Sequence, residues 1–206
     1  MVAVTGALAM ENADEDDDID LMVVTSRNRL WIVRPLVLLF VSLFFKRRYP
    51  IPNAQTNNQK PTTNNAICLN LWLDESSLEI PIGQRDLYTA HELAQMKPVV
   101  NRDGTYEKMM WENRWGRKYL ANAWDRPSGY QVGRLAGKKS LFFQIVNLLT
   151  CKPVNLFNRL AFNLQFRYMK PKMTNERVSI NSAFFHPGNR ADTILKAYDR
   201  LCYRNF

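Results

Sequence analysis

Two histidines and three cysteines are all that this 206-residue chain offers of the usual zinc ligands beyond carboxylates. Cys68, Cys151 and Cys202 are odd in number and stand at no metal-ligand spacing. That excludes a zinc knuckle and a disulfide framework, and it fits buried thiols in a reducing, cytoplasmic compartment. His91 and His186 are too far apart in sequence to argue a Ser/His/Asp or Cys/His triad. No basic segment precedes an apolar core near the N-terminus, so secretion is not expected. A run of roughly 20 apolar residues, the length needed to span a bilayer, is missing as well. The nearest candidate, "LWIVRPLVLLFVSLFFKRR", is interrupted by Arg34 and Pro35. It reads as a buried or groove-forming helix in preference to a membrane-surface one.

Acidic residues are scarce everywhere but at the front. Six of the seven positions from Asp14 to Asp20 are Asp or Glu, and residues 1–20 hold seven of the 19 acids and no Lys or Arg. The remaining 186 residues carry 28 basic against 12 acidic side chains, or +16 against −7 at the front. A cation site set in a basic protein suits a metal-bound polyanion, either a nucleoside triphosphate or nucleic acid. With 46% hydrophobic residues the chain has the composition of a folded protein, long enough for one large domain or two small ones.

"VAVTG" reads as a short strand ending at a glycine turn, "ALAMENA" as a helical turn, and "DIDLMVVT" as a second strand with its β-branched end in a sheet core. Ser26 can cap a helix over residues 28–45, which Pro35 must kink or divide. After a polar Pro/Asn-rich loop, "AICLNLWLD" is a third strand and "SLEIPI" a possible fourth. From Asp86 the pattern becomes helical. Asp86 caps "DLYTAHELAQM", and "TYEKMMWENRWGRKYLANAW" suits a partly buried helix. Further on, Leu156, Leu160 and Leu164 recur every four residues beside a polar ridge of Arg159, Asn163 and Arg167. In the last helix Ile194, Tyr198 and Leu201 are expected inward, and Lys196, Arg200 and Arg204 outward. The seam between the α/β front and the helical back falls near residues 84–100.

On a strand, residues two apart share a face with about 6.6–7 Å between their Cα atoms, so Asp18 and Asp20 present paired carboxylates. Like charges that close repel unless a cation lies between them, and oxygen ligands alone favour Mg²⁺ or Mn²⁺ over zinc. Gly6, at a strand end, opens a turn whose backbone N–H groups can face phosphate.

Gly6-Ala7, a ten-residue gap from Leu8 to Asp17, and Asp18-Ile19-Asp20 resemble the signature of the DNA polymerase β-type nucleotidyltransferase superfamily. "LNLWLDE", "LYTAHELAQMKP", "YMKPKMTNERVS" and "FFHPG" further resemble uncharacterised bacterial nucleotidyltransferase-domain proteins. The resemblance implies an α+β fold with a mixed sheet flanked by helices over residues 1–84, followed by a helical C-terminal region over 85–206. It implies transfer of a nucleoside monophosphate from a triphosphate such as ATP to an acceptor, with two Mg²⁺ (or Mn²⁺) ions. Carried over by position, Asp18 and Asp20 hold the metals, the Gly6-Ala7 backbone meets the triphosphate, and Asp16 and Asp17 solvate the loop. Arg27, with Arg29 behind it, follows the carboxylate strand and is read as a further triphosphate contact; basic residues at a strand exit are also routine.

Three positions depart from the family pattern. Ala7 stands where a serine hydroxyl usually meets phosphate, and Asn70 where the third carboxylate is expected. Asp74, four residues on, is about 13 Å away by strand rise and a poor substitute. The family also has a helix before its first strand, whereas Met1 falls almost on that strand, so the leading helix is expected to be missing. His91 could lie near the acceptor but reads first as a packing or capping residue, and His186 reads as a turn residue. Two functional classes follow. One is an enzyme acting on an unidentified acceptor. The other is a weakened fold that binds or regulates through its basic surface, with nucleic acid or protein as partner and a membrane surface less favoured.

Overall fold

The computed structural model describes residues 1–14, 17–45, 66–124, 141–173, 176–185 and 190–203. Its centre is a mixed six-stranded sheet. The front supplies β1 (Val2–Val4), α1 (Gly6–Ala9), β2 (Ile19–Thr25), α2 (Leu30–Phe44) and β3 (Ile67–Asp74). After a 3₁₀ turn come α3 (Leu87–Gln95), β4 (Lys97–Val100), α4 (Thr105–Glu112) and α5 (Ala121–Trp124). The long α6 (Leu141–Met169), β5 (Arg177–Val178), β6 (Ser182–Phe184) and α7 (Arg190–Tyr203) complete the chain. The strand order is β4-β1-β2-β3-β6-β5, in which only β2 and β3 are parallel. Parallel neighbours need a crossover, and α2 lies within it.

The expected helical region after residue 85 is thus corrected: it contributes β4, β5 and β6 to the same sheet. "KPVV" is hard to read as a strand because Pro98 cannot donate to a ladder. As β4 it lies at the sheet edge, where proline is tolerated. "SLEIPI" is not a strand. Its buried Leu78 and Ile80 are held instead by the buried amide of Asn113, which donates to the Leu78 carbonyl (2.7 Å) and accepts from the Ile80 N–H (2.8 Å). The helix expected over 105–124 breaks into α4, a 3₁₀ turn and α5, letting Trp124 close over Gly116, where any Cβ would collide with the indole.

The two faces of the sheet carry separate cores. Ala3, Met22, Val24 and Leu73 pack with Leu78, Leu93, Met96 and Met109 on one side. Val23, Trp72 and Ala183 pack with Leu30 and Trp31 of α2 on the other, where Phe162 and Met169 of α6 join them. The alternation of Met22, Val23 and Val24 between cores follows from the two-residue period of a strand.

How α2 and α6 meet decides two further corrections. Pro35 does not divide α2, which runs unbroken through it. Proline cannot donate to the carbonyl four residues back, that of Trp31, and the Gln165 side chain of α6 fills this gap with a 2.7 Å hydrogen bond. One turn earlier, the Trp31 N–H, an orphan of the helix start, donates to Asn158 Oδ1 at 2.9 Å. Asn158 and Gln165 therefore face inward, two turns apart on α6. Leu156, Leu160 and Leu164 are consequently turned to solvent, Leu164 being 73% exposed. On α7, Ile194 and Tyr198 are likewise about half exposed and not buried as expected; the side chain of Leu201, and Arg204, lie outside the described residues.

Candidate functional site

The antiparallel β1/β2 and β4/β1 pairs and the parallel β2/β3 pair bring the end of β1 and the starts of β2, β3 and β4 to one edge of the sheet. There the Thr5 N–H extends the ladder by donating to the Asp20 carbonyl at 2.9 Å. The next residue, Gly6, takes φ +66°, in the left-handed region. A Cβ at Gly6 would stand 2.6 Å from Asp20 Oδ2, so two constraints, backbone conformation and closeness, each call for glycine here.

Asp20 is half-buried and its Oδ1 accepts from Asn70 Nδ2 at 2.7 Å. The amide oxygen of Asn70 in turn accepts from the Cys68 thiol at 2.8 Å. Asp20 pairs with Cys68 and Met22 with Leu71, so two steps on β2 are matched by three on β3. Such a bulge re-aims side chains. Its effect is visible in the cores: Leu69 and Trp72, three apart, border one core while Leu71 and Leu73 border the other. Strict alternation, which puts Cys68, Asn70, Trp72 and Asp74 on one face, is therefore broken at Asn70.

Asp18 stands one residue before β2 and is half-buried. Ala7 lies in α1, a single turn of four residues. The Asp17 carboxylate accepts the Asp14 N–H at 3.0 Å and closes a loop turn, while Asp16 lies outside the described residues.

Arg27 is not brought to this edge. About 17 Å of strand separates Asp20 from Thr25, and Arg27 sits exposed in the turn beyond. The cation that the fold does bring is Lys97. It starts β4, pairs with Val4, and its ammonium lies 2.6 Å from Glu11 Oε1 in the α1–β2 loop. That hydrogen bond, with the charge behind it, holds the Glu11 carboxyl below the usual carboxylate range. Lys97 went unread because its strand did. His91 is half-buried on α3 between the core residues Ala90 and Leu93, and His186 lies outside the described residues.

Asp74 is at the opposite end of β3, fully buried, with Oδ2 accepting the Asn28 N–H (3.0 Å) and Oδ1 the Ser76 N–H (2.8 Å) and hydroxyl. Its oxygens are committed to two turns.

Among the described residues no cluster of three or more His, Cys, Asp or Glu side chains could hold a metal ion alone. Mg²⁺ does not need one, since it is commonly bound by one or two carboxylates together with substrate phosphates. Asp18 and Asp20 carry oxygens of that kind at the start of β2, and Gly6, bare of a Cβ, lies against Asp20 Oδ2. No protein-family model, curated protein or solved structure matches the chain.

Proposed function

We propose that the chain is a metal-dependent nucleotidyltransferase, moving a nucleoside monophosphate from a nucleoside triphosphate to an acceptor. One observation carries the reading: Gly6, Asp20 and Asn70, remote in sequence, meet at one sheet edge, with Gly6 against one Asp20 oxygen and Asn70 on the other. Asp18 and Asp20 are the residues to hold Mg²⁺ jointly with the triphosphate. The bound ion would neutralise charge on the phosphates and activate the acceptor hydroxyl. The acceptor oxygen bonds to the α-phosphorus as the bond to pyrophosphate breaks, and the acceptor's proton passes to solvent water. Asn70 orients Asp20 but, as a neutral amide, cannot take that proton. Lys97, paired with Glu11, places positive charge at the same edge.

The test is pyrophosphate release from each of the four triphosphates with Mg²⁺ and a panel of acceptors. Release that depends on Mg²⁺ and disappears in Asp18→Asn is the expected result. Pyrophosphate release unchanged in that variant sinks the assignment.

The Asn70 amide supports a second reading, a nucleotide-binding or regulatory module with little turnover. It predicts triphosphate binding without pyrophosphate release, and salt-sensitive partner binding that survives loss of both aspartates.

A further inference from the structure

The α2 and α6 helices lie side by side on the same face of the sheet, their inner sides meeting the core around Trp72 and Ala183. Their outer sides therefore point the same way, and each carries an exposed apolar stripe. On α2 the exposed residues are Leu36, Leu39, Phe40, Leu43 and Phe44, the i, i+3, i+4, i+7, i+8 pattern that normally marks a buried stripe. On α6 they are Leu156, Phe157, Leu160, Leu164 and Tyr168. Leu43 and Leu164 are 69% and 73% exposed. Exposed apolar stripes on neighbouring helices mark an interaction site.

The surrounding charge selects the occupant. Arg34 is the one charged residue of α2, and residues 154–173 carry Arg159, Arg167, Lys170 and Lys172 and no acid. Arg159 and Arg167 are exposed on α6 beside its leucine stripe, and the Lys172 ammonium lies 3.9 Å from the Tyr168 ring centre at the helix end. A second copy of the chain would bring the same cations against these. Nucleic acid would satisfy the cations and leave ten large apolar side chains in water. Apolar side chains rimmed by Lys and Arg match an anionic bilayer surface, where the helix face enters the acyl boundary and the cations meet lipid phosphates. No helix among the described residues is long and apolar enough to cross a membrane, so binding is in the plane of the surface.

We infer that the outer face of α2 and α6 docks the protein onto anionic lipid bilayers. The crossover sets the orientation: β2 leads away from the Gly6–Asp20 edge, α2 returns towards it, and β3 starts there again. The exposed Phe40, Phe44 and Phe45 cluster at the end of α2 thus lies towards the edge that holds Asp20, which docking brings to the bilayer.

The experiment is flotation of the full chain, without nucleotide, on vesicles of phosphatidylcholine alone or with 30% phosphatidylserine, about 30% being a probe composition chosen to carry the surface charge of an anionic leaflet. Its outcome is independent of the proposed transferase activity. The protein floats with the anionic vesicles and stays behind with neutral ones. Leu43→Glu and Leu164→Glu, at exposed positions, each weaken binding about tenfold or more while thermal unfolding is unchanged, and Arg159→Glu with Arg167→Glu does the same without touching an apolar residue. Absence of flotation, or equal flotation on neutral vesicles, overturns the inference. So does sedimentation equilibrium showing a dimer that Leu164→Glu dissociates with no vesicle binding, because the face then belongs to a second copy.

Discussion

Two aspartates mark opposite ends of the β2/β3 pair, and their surroundings differ in kind. Asp74 is fully buried and accepts two backbone N–H groups and a hydroxyl, so that both oxygens are used by the protein. Asp20 is half-buried; one oxygen takes the Asn70 amide, and the other lies so close to Gly6 that a Cβ there would stand 2.6 Å away. A carboxylate wrapped in backbone donors stabilises turns, whereas the one held against a bare glycine at the strand ends is the one we propose to meet a cation. Residue type alone does not separate these roles.

The largest effect that can break the comparison is at Asp74. Asp74→Asn puts an NH₂ where an oxygen accepts a buried N–H, and is expected to cost about 3 kcal/mol of stability. Denaturant unfolding measures it, and a loss below about 1 kcal/mol would equate the two ends. The folded variant should bind triphosphate normally, because Asp74 is about 20 Å of strand from the Asp20 edge.

Asp20→Asn should do the reverse. Unfolding stays within about 0.5 kcal/mol of the parent, since one like charge beside Asp18 is relieved. Affinity for Mg²⁺-ATP falls by roughly a hundredfold, about 2.7 kcal/mol, in a calorimetric titration.

Gly6→Ala tests the closeness itself. Strain from the left-handed backbone and displacement of the Asp20 carboxylate should together cost about 2 kcal/mol of stability and weaken Mg²⁺-dependent binding. A variant as stable and active as the parent would show that Gly6 and Asp20 are not pressed together.

The smallest effect expected is at Asn70. Asn70→Asp sets two carboxylates at hydrogen-bond distance, so the metal-free protein melts lower and Mg²⁺ restores it. If the site is a transferase slowed by its amide, pyrophosphate release rises about tenfold, or 1.4 kcal/mol of transition-state stabilisation. No rise in release, with binding intact, favours the binding module.

Strand positions in the front half were legible because β-branched runs bounded by glycine and polar loops have few alternatives, and Asp86 caps α3 through the Thr89 N–H as its residue type suggests. The approach of Gly6 to Asp20 was legible for the same reason: both lie at the ends of well-marked local elements. Arg27 was misplaced because its closeness in sequence hid the length of β2, which carries it to the far edge. Lys97 was missed because Pro98 argues against a strand until the strand is known to be at an edge. On α6 the polar ridge of Arg159, Asn163 and Arg167 is exposed as its residue types suggest, but the four-residue recurrence of leucine does not mark the inner face. Here Asn158 and Gln165 take the interior to satisfy backbone groups that the start of α2 and Pro35 leave unpaired.

The sequence by itself determined what depends on neighbours along the chain: the three front strands, the acidic loop between the first two, the glycine turn and the charge asymmetry. Tertiary structure decided what depends on partners far away: which strands share the sheet, the bulge that turns Asn70 to Asp20, and the polar side of α6 that faces inward. The physical reason is that a buried N–H or carbonyl must find a partner wherever the fold offers one. That demand, met here by Asn158, Gln165 and Asn113 from distant segments, overrides the local hydrophobic period and leaves the leucines of α6 outside.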